Sequence, residues 1–422
     1  MRIAIVGAGV SGLVAAHLLH REHELVIYEA NTYAGGHTNT IRVETDHDCH
    51  EVDTGFIVMN DRNYPNFTSL LDRLGVARQP TNMSFSVKGE DEDFEYAGTP
   101  RGLFCQPRNL ASPRFQRMMF DLLRFNRELR RLLEQDGGDG NGGHDAGESL
   151  SEFCERHRFS RAFVERLIVP QASAVWSAAP GHMSRFPVRF LAEFFANHGM
   201  LGFSDRPCWS TIRGGSARYV EVLTAPFRDR IRLSTPVRSI ARFAEHVEIE
   251  VEGQGSERFD QVVIASHSDQ ALSMLSDPSE HEARTLSSVP YQVNEAVLHT
   301  DSSLLPRRRR ARAAWNFHLL REPKPLTTVT YFMNHLQRLR ADENYCVTLN
   351  RTEAIDPERI IRKISYAHPT FTPEGVAAQT EQLAIGGLAT RTHYCGAYWG
   401  WGFHEDGVRS AIAACTPFGV KL

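Results

Sequence analysis

The chain opens with apolar and glycine-rich stretches whose order predicts a strand, a turn, a helix and a second strand. Residues 2–6 form a short apolar run suited to a buried parallel strand. Residues 7–12 read G-x-G-x-x-G, and residues 13–19 are apolar and helix-forming. Residues 25–28 are a second apolar strand, and Glu29 stands at its end. This order is typical of a dinucleotide-binding βαβ unit.

Each glycine of the turn has a physical role in holding a pyrophosphate. Gly7 permits the tight turn, Gly9 lets the backbone approach the phosphates without a Cβ in the way, and Gly12 lets the helix pack closely on the strand. The helix N-terminus adds unpaired N–H groups and the positive end of its dipole. The carboxylate of Glu29 can accept hydrogen bonds from a ribose diol. We therefore predict a dinucleotide site, against the alternative of an ordinary glycine turn.

Later patterns predict two excursions from this nucleotide-binding fold. Residues 67–75 read as an amphipathic helix that Gly75 ends, and residues 84–87 alternate as a strand. Residues 114–134 have apolar side chains at helical spacing, and residues 186–198 form a strongly apolar helix rich in phenylalanine. That second helix is either packed core or the wall of an apolar pocket, and one face can serve each purpose.

Strands follow in the second half of the chain. We predict them over residues 231–240, 247–251, 259–266, 294–299, 329–333 and 392–396. Residues 135–147 are rich in glycine and acidic side chains, and no strand precedes them. They are therefore predicted to be a mobile loop and not a second nucleotide site.

Composition narrows the class of protein. The chain has 422 residues, which favours two domains, and its net charge of −4 gives no overall basic field for nucleic acid. Seven scattered cysteines, and 19 histidines without metal-ligand spacing, argue against a disulfide framework or a metal site. No stretch approaches the roughly 18 apolar residues of a membrane-spanning helix, and the N-terminus reads as a strand and not a signal peptide, so we expect a cytoplasmic protein.

One local basic run stands out from this composition. Residues 306–312 contain five arginines. A solvated loop is the first interpretation of such a run. The second is contact with an acidic partner or with an anionic membrane surface, which would place the protein peripherally at the inner membrane face.

The stretch after Glu29 resembles a motif of the flavin-containing amine oxidase superfamily. Residues 30–40 contain a second glycine pair that is not needed for NAD and is similar to the superfamily's G-G-R-x-x-T. Gly35, Gly36 and Thr40 match this motif, whereas His37 stands where arginine or lysine is usual. Histidine is largely neutral near pH 7 unless a phosphate raises its pKa. His37 is therefore no permanent cationic clamp.

Further segments resemble the superfamily in the same order along the chain. Residues 51–58 resemble a D-x-G segment that runs beside the flavin, and residues 213–219 resemble a glycine pair before a helix. Residues 231–240 are similar to a strand that passes the adenine, and residues 396–410 to the last FAD motif. Together they are most similar to a bacterial group of predicted NAD/FAD-binding oxidoreductases.

The resemblance implies an α/β fold, with a Rossmann-like FAD-binding domain of the amine oxidase/glutathione reductase type and an interleaved α+β substrate domain. The FAD-binding domain would take residues 1–75, 205–270 and 385–422, and the substrate domain residues 76–204 and 271–384. The implied FAD contacts come from Gly7, Ala8, Gly9, Ser11, Gly12, Glu29, Ala30, Gly36, His37, Thr38, Thr54, Gly55, Phe56, Val237, Gly396, Asp406, Gly407 and Val408.

The resemblance further implies an FAD-dependent oxidoreductase that takes a hydride or two electrons from an apolar substrate. The bacterial group is often encoded beside cyclopropane-fatty-acid synthase-like proteins, which hints at an acyl lipid. Candidates for the substrate pocket are Phe186, Phe190, Phe194, Trp209, Trp399 and Trp401, with simple core packing as the alternative. His404 is the single candidate for proton transfer, and a hydrogen-bonded structural histidine is its alternative.

The cofactor and its redox partners follow from the same residues. Cys395 lies within a predicted buried strand, so we expect FAD to be held noncovalently. A single dinucleotide motif predicts that electrons leave to oxygen, a quinone or a carrier protein, and that NAD(P)H does not rapidly reduce the enzyme. Two alternatives stay open: a redox-neutral flavin-dependent isomerase, and a flavin-holding partner subunit without turnover of its own.

Overall fold

The computed structural model describes residues 1–45, 48–90, 93–135, 148–202, 206–322 and 324–422. The predicted glycine-rich loop lies outside these ranges, apart from its first residue. The α-helices are Val10–Leu19, Pro65–Leu74, Pro100–Leu103, Pro107–Ala111, Pro113–Gln135, Leu150–Arg156, Arg161–Phe163, Val169–Trp176, Pro180–Met183, Val188–Asn197, Ala217–Thr224, Ser268–Met274, Glu280–Ser287, Met333–Leu336, Pro373–Ala378 and His404–Cys415, and a π-helical turn spans Val164–Ile168.

A parallel sheet of five strands forms the centre of the half of the molecule that holds the first glycine turn. Its strands are, in order across the sheet, Ile231–Arg232, Glu24–Tyr28, Arg2–Val6, Gln261–Ile264 and Thr392–Tyr394. Side chains alternate along the central strand, so that Ile3 and Ile5 face one core cluster while Ala4 and Val6 face another. A sheet covered on both faces requires the nearly continuous apolar runs seen in its strands.

Two predicted strands are divided in the structure. Residues 231–240 contain a short strand of the parallel sheet, Ile231–Arg232, and most of another strand, Val237–Arg242, because Ser234 adopts a φ of 50° and turns the chain. Residues 259–266 likewise divide, since the chain leaves Gly255–Phe259 before it enters the parallel sheet at Gln261. The strands Val237–Arg242, Val247–Val251 and Gly255–Phe259 make a separate antiparallel sheet.

A sheet of seven strands forms the other half of the molecule. Its strands are, in order, Ile360–Pro369, Tyr291–His299, Cys346–Leu349, Val329–Phe332, Trp315–Leu319, Phe85–Gly89 and Glu95–Ala97. Trp315 pairs in parallel with Phe85, so segments far apart in sequence share one sheet. The predicted fold class, a Rossmann-like α/β fold with an interleaved α+β part, is therefore confirmed.

The predicted helices that cover this sheet are also present. Helix Pro113–Gln135 matches the predicted helical spacing, and helix Val188–Asn197 buries Phe190, Leu191 and Phe194.

Helix Pro65–Leu74 ends at Gly75, whose φ of 67° is the left-handed conformation expected of a glycine cap. Among the residues that the structure describes, no helix is both long and apolar enough to cross a bilayer.

Two small sheets connect the halves. Thr40–Glu44 pairs with Cys49–Asp53 in an antiparallel hairpin. Trp209–Ile212 lies between Met59–Asn60 and Arg78–Pro80. Four of these strands lie between the second parallel strand and the first strand of the seven-stranded sheet, and Trp209–Ile212 lies where the chain returns to the parallel sheet.

Candidate functional site

The first glycine turn lies at the carboxyl end of the central parallel strand. A Cβ on Gly7, whose φ is 104°, would lie 2.9 Å from the carbonyl oxygen of Ala265, and a Cβ on Gly12 would lie 1.9 Å from the carbonyl oxygen of Gly7. A Cβ on Gly9 would meet no atom within 4 Å. Gly7 and Gly12 are therefore required by packing, while Gly9 faces open space in front of the helix Val10–Leu19.

The second glycine pair packs directly on the first turn. The N–H of Gly35 donates to the carbonyl oxygen of Ala8 at 2.7 Å. A Cβ on Gly36 would lie 3.1 Å from the Cα of Gly9. The two segments, 25 residues and more apart in the chain, thus form one continuous backbone surface around the open side of Gly9.

Glu29 is buried at the end of the second parallel strand. Its carboxylate accepts hydrogen bonds of 2.8 Å from the main-chain N–H groups of Ala8 and Asn31. The segment that leads into Val237 runs beside it, because the N–H of Thr235 donates to the carbonyl oxygen of Glu29 at 2.8 Å. We call the surface formed by residues 7–12 and 35–36 the glycine cradle. At one end of it lie Glu29, its neighbour Ala30 and the segment that leads into the strand of Val237.

The helix of the last predicted motif, His404–Cys415, packs with its N-terminal turns against the start of the helix Val10–Leu19. A Cβ on Gly407 would lie 2.8 Å from both the Oγ of Ser11 and the Cγ1 of Val10. Gly407 and the buried Val408 lie in the first turns of the helix His404–Cys415. The N–H of Gly396 donates to the Oγ of Ser410 in that helix, at 2.9 Å. Two helix N-termini thus converge on the glycine cradle, which favours an anionic ligand between them.

Asp406 stabilises the start of this last helix. Its carboxylate accepts hydrogen bonds of 3.0 Å from the N–H of Phe403 and from the guanidinium of Arg409. Burial raises the pKa of Asp406 to about 6. The carboxylate therefore serves first as a cap of its own helix, next to the residues assigned to the cofactor.

The D-T-G segment packs against the G-G-H-T segment. The N–H of Phe56 donates to the carbonyl oxygen of His37 at 2.8 Å, and a Cβ on Gly55 would lie 2.2 Å from that same oxygen. The Oγ of Thr54 donates to the carbonyl oxygen of Asn39 at 2.8 Å. Gly55 is therefore required for the close approach of the two segments.

His404 is buried within this junction. Its Nε2 lies 2.9 Å from the Oγ of Thr38 and 3.2 Å from the hydroxyl of Tyr219. Its ring stacks on Phe56 with the centroids 3.6 Å apart. Burial lowers the pKa of His404 well below its ordinary value, so the imidazole is neutral near pH 7. These contacts suit a structural histidine that joins three of the predicted motifs.

His37 lies in a cluster of rings instead of pointing to solvent. It hydrogen-bonds to the main chain of Ala367 and stacks on Tyr366 with the centroids 4.9 Å apart. The rings of His368 and His267 lie 5.2 and 6.2 Å from that of His37. Burial lowers the pKa of His37 to about 4, in keeping with the expectation that it is no permanent cation.

Asp53 joins the motifs to the seven-stranded half of the molecule. Its Oδ1 accepts from the Oγ of Thr40 at 2.5 Å and from the N–H and Oγ of Ser216, each at 2.8 Å. Its Oδ2 accepts from the Nε2 of Gln337 at 2.9 Å. Burial raises the pKa of Asp53 to about 6. One carboxylate thus fixes the relative positions of three glycine-rich segments.

An aromatic cluster adjoins the last motif. It comprises Trp176, Phe186, Phe190, Phe194, Phe371, Trp401 and Phe403, with neighbouring ring centroids 4.7 to 6.4 Å apart. Trp209 borders it through His198, whose ring lies 6.0 Å from Trp209 and 3.8 Å from Phe194. Trp399 lies elsewhere, in the core on one face of the parallel sheet. The structure therefore groups two of the three predicted tryptophans.

Several residues of the site carried no motif in the sequence. They are His267, Gln337, Tyr366 and His368. Asp53 and Tyr219 lie within predicted motif segments, but neither side chain had a predicted role of its own. Tyr366 and His368 lie two residues apart on one strand and so face the same side, which is the only local sign of a shared role. Their contact with His37 depends on how the two sheets pack, which local periodicity does not encode.

Family comparison places these segments among flavoproteins. Residues 10–311 match a family model described as flavin containing amine oxidoreductase. Protoporphyrinogen oxidase 2 of Arabidopsis thaliana is 29% identical over 184 residues, which are 43% of this chain and 34% of that protein. The match therefore spans about a third of the length of this curated relative.

Solved structures share the fold over nearly the whole chain. Cyclohexylamine oxidase from Brevibacterium oxydans superposes with a TM-score of 0.71 at 16% identity, covering 98% of each chain. A CLA-producing fatty acid isomerase from P. acnes superposes with a TM-score of 0.69 at 17% identity, covering 99% of this chain and 98% of the other. Identities this low show a common fold and leave the substrate open.

Proposed function

The chain belongs to the flavin-containing amine oxidoreductase family, and we propose that it is an FAD-dependent oxidoreductase acting on an apolar substrate. The observation that carries this proposal is the close approach of two helix N-termini, at Ser11 and Gly407, beside a glycine turn in which a Cβ on Gly9 would meet no atom within 4 Å. Such a cradle fits the pyrophosphate of a dinucleotide. When bound, FAD would supply the acceptor for a hydride or an electron pair.

The residues around the cradle divide into three groups in this proposal. Gly7, Ala8, Gly9, Ser11 and Gly12 would hold the pyrophosphate, and Glu29, Ala30 and Val237 the adenosine. Gly36, His37, Thr38, Thr54, Gly55 and Phe56 would surround the flavin end together with Gly396, Asp406, Gly407 and Val408. The amides of Gly407 and Val408, at a helix N-terminus, would stabilise negative charge that develops on reduction.

We propose that FAD is held noncovalently. Cys395 is fully buried in the core beside Cys415, and burial raises its pKa well above the ordinary value of a thiol. A covalent thioether requires an accessible thiolate. The environment of Cys395 supports neither access nor ionisation.

The aromatic cluster supports an apolar substrate. Its rings pack next to the start of the last helix, which Phe403 precedes, and Trp209 borders them through His198. Large apolar side chains near a cofactor orient a substrate by shape and exclude water. An acyl lipid would suit such surroundings. Trp399, packed in the core near the parallel sheet, would then support the fold more than the substrate.

A redox-neutral reaction on the same cofactor is the second candidate. One protein of this fold is a CLA-producing fatty acid isomerase, whose reaction on an acyl substrate involves no net electron transfer. Net consumption of oxygen, a quinone or a carrier protein separates an oxidoreductase from an isomerase. A flavin-holding partner subunit, the third candidate, would show no turnover alone and would copurify with an enzyme.

Membrane contact is part of this proposal, because an acyl lipid resides there. We place the protein in the cytoplasm, peripheral to the inner membrane face. The side chains of Arg307, Arg309 and Arg310 are exposed and available to an anionic surface.

The experiment that tests the proposal is the visible spectrum of the purified protein before and after acid precipitation. We expect an oxidised-flavin spectrum, with FAD released to the supernatant. Anaerobic bleaching by unsaturated or cyclopropane acyl lipids would then identify the substrate class. A colourless protein that FAD does not reconstitute would refute the proposal, and colour that stays on the denatured chain would refute noncovalent binding.

A further inference from the structure

A cleft on the seven-stranded half of the molecule has features that the flavin site does not explain. It lies between the helix Pro107–Ala111, the start of helix Pro113–Gln135 and the π-helical turn Val164–Ile168, and its volume is about 420 Å³. Its floor is apolar, since Phe94, Phe115 and Met118 line it and are each less than a tenth exposed. A cavity of this size and lining suits part of an amphiphilic molecule.

Three guanidinium groups line the same cleft. They belong to Arg108, Arg114 and Arg166. The Cζ of Arg166 lies 4.9 Å from the ring centre of Phe94, so this cation is held over the apolar floor. Arg166 lies within the π-helical turn, a distortion that is frequent at functional sites. The lining therefore combines a fixed apolar floor with a basic rim.

Among the residues that the structure describes, Asp93 is the one acid that lines the cleft, and basic side chains neutralise it. The Asp93 carboxylate accepts hydrogen bonds of 2.6 and 2.8 Å from Arg308 and lies 3.4 Å from the guanidinium of Arg108. The bond from Arg308 lowers the pKa of Asp93 below its ordinary value. Arg308 belongs to the basic run 306–312, so this run meets the edge of the cleft through the ion pair of Arg308 with Asp93.

The chain around the cleft is basic as well as unusually apolar at its surface. Residues 100–135 contain eight arginines against three acidic residues, although the whole chain has a net charge of −4. In the same segment Phe104, Phe120 and Leu123 are 51%, 55% and 52% exposed. The guanidinium of Arg117 lies 5.8 Å and that of Arg124 5.9 Å from the ring centre of Phe120. Interleaved arginine and exposed aromatic side chains are typical of surfaces that bind at a membrane interface.

We propose that the cleft binds the anionic headgroup of a membrane lipid and that the surrounding surface, residues 100–131, docks the protein on an anionic bilayer. The guanidiniums of Arg108 and Arg114 would pair with phosphate oxygens. Phe104 and Phe120 would enter the interface. This inference rests on the apolar substrate and membrane contact proposed above, and it would hold the enzyme where such a substrate resides. A nucleic acid would not require exposed apolar side chains or an apolar floor.

Sedimentation of the flavin-loaded protein with vesicles tests the docking. We expect binding to equimolar phosphatidylglycerol and phosphatidylcholine, and little binding to phosphatidylcholine alone. Since an arginine near an anionic surface contributes about fivefold in affinity, the double variant Arg108→Gln/Arg114→Gln should bind about twenty-five-fold more weakly. The matched control Arg258→Gln/Arg362→Gln removes the same charge from exposed positions elsewhere and should change binding less than about twofold.

Two further variants test whether lipid binding requires the cleft and the exposed phenylalanines, or only positive charge on the surface. Ala162 lines the cleft, so Ala162→Phe narrows it without changing charge. We expect it to abolish the rise in Tm that short-chain phosphatidylglycerol gives the parent protein. Phe104→Ser/Phe120→Ser should weaken vesicle binding while its dependence on salt stays the same, because no charge is removed.

Several results would overturn the inference. They are equal binding to neutral and anionic vesicles, equal loss in the control pair, or tighter binding of single-stranded RNA than of vesicles. Vesicle binding needs no turnover, so a protein that docks but holds no FAD would contradict the proposed function alone. A yellow protein that does not dock would contradict this inference alone.

Discussion

The main-chain N–H of Ser216 donates a hydrogen bond of 2.8 Å to the buried carboxylate of Asp53. The two residues are 163 positions apart, and Gln337, further along, donates to the same carboxylate at 2.9 Å. The loop of the glycine pair Gly214–Gly215, the D-T-G segment and the seven-stranded half are therefore held in one arrangement by one side chain. Burying that carboxylate is unfavourable unless its hydrogen bonds are made, which links the geometry of the site to the stability of the protein.

Replacing Asp53 should therefore loosen the site and the fold together. Asp53→Ala leaves the donors of Thr40, Ser216 and Gln337 without their acceptor, which should lower the free energy of unfolding by about 3 kcal/mol. Urea unfolding measures this, and flavin titration should show weaker binding. An Asp53→Ala protein with the parent's stability and flavin affinity would refute this role.

The substitution Gly9→Ala tests whether the glycine cradle binds FAD, because it should leave the fold intact. A Cβ at Gly9 would meet no protein atom, so Gly9→Ala should fold with a loss of about 1 kcal/mol or less. The added methyl group would occupy the space assigned to the pyrophosphate, and FAD affinity should fall by about tenfold or more. Gly181→Ala is the matched control, because a Cβ there also meets nothing. Equal FAD affinity in both variants would contradict the assignment.

The substitution His404→Ala distinguishes a structural role of this histidine from a role in proton transfer. Its stacking on Phe56 and its contacts with Thr38 and Tyr219 predict that His404→Ala lowers the free energy of unfolding by about 2 to 4 kcal/mol. A double-mutant cycle with Phe56→Ala should show coupling between the two rings. If instead His404→Ala kept stability and flavin spectrum but lost reduction by substrate, proton transfer would be its role.

The histidine cluster predicts how stability depends on pH. Burial lowers the pKa values of His37 and His267 to about 4 and that of His368 to about 3, below the unfolded value of about 6.5. Groups with lowered folded pKa values contribute stability that is present above about pH 6.5 and is lost as the pH falls through about 4.

Urea unfolding at several pH values between about 7 and 4 measures this loss. His368→Gln keeps an acceptor for the amide of Asn294, which lies 2.9 Å from Nδ1, but removes one titrating group. Its stability should fall less steeply with decreasing pH than that of the parent. The exposed His182→Gln is the control and should keep the parent's slope. A parent protein whose stability is constant over this range would contradict the prediction.

The single dinucleotide cradle predicts the electron partners. Stopped-flow mixing with NADPH under anaerobic conditions should leave the flavin oxidised, whereas an apolar substrate should reduce it. Reoxidation by oxygen, a quinone or a carrier protein would then complete turnover. Rapid reduction by NADPH would show that a second nucleotide site exists.

Much of the fold could be predicted from local pattern. The order strand, G-x-G-x-x-G, helix and strand fixes the start of a parallel sheet, because the apolar runs require burial on both faces and the glycines require close approach. The pairs Gly35–Gly36 and Gly214–Gly215 adopt positive φ in the structure, a conformation that glycine takes without a steric penalty. These requirements concern residues that are close together in the sequence, so they can be recognised from the sequence alone.

The tertiary structure alone decided which side chains meet at the site. Residues 231–240 do not form one strand, because the chain turns at Ser234, and a serine does not by itself predict a positive φ. The contacts of His37 with Tyr366 and of Asp53 with Ser216 join segments separated by hundreds of residues. They follow from the packing of two sheets, which is set by the burial of the whole core and not by any local period. The sequence by itself therefore determined the nucleotide-binding architecture, and the packing of the two halves decided which side chains surround it.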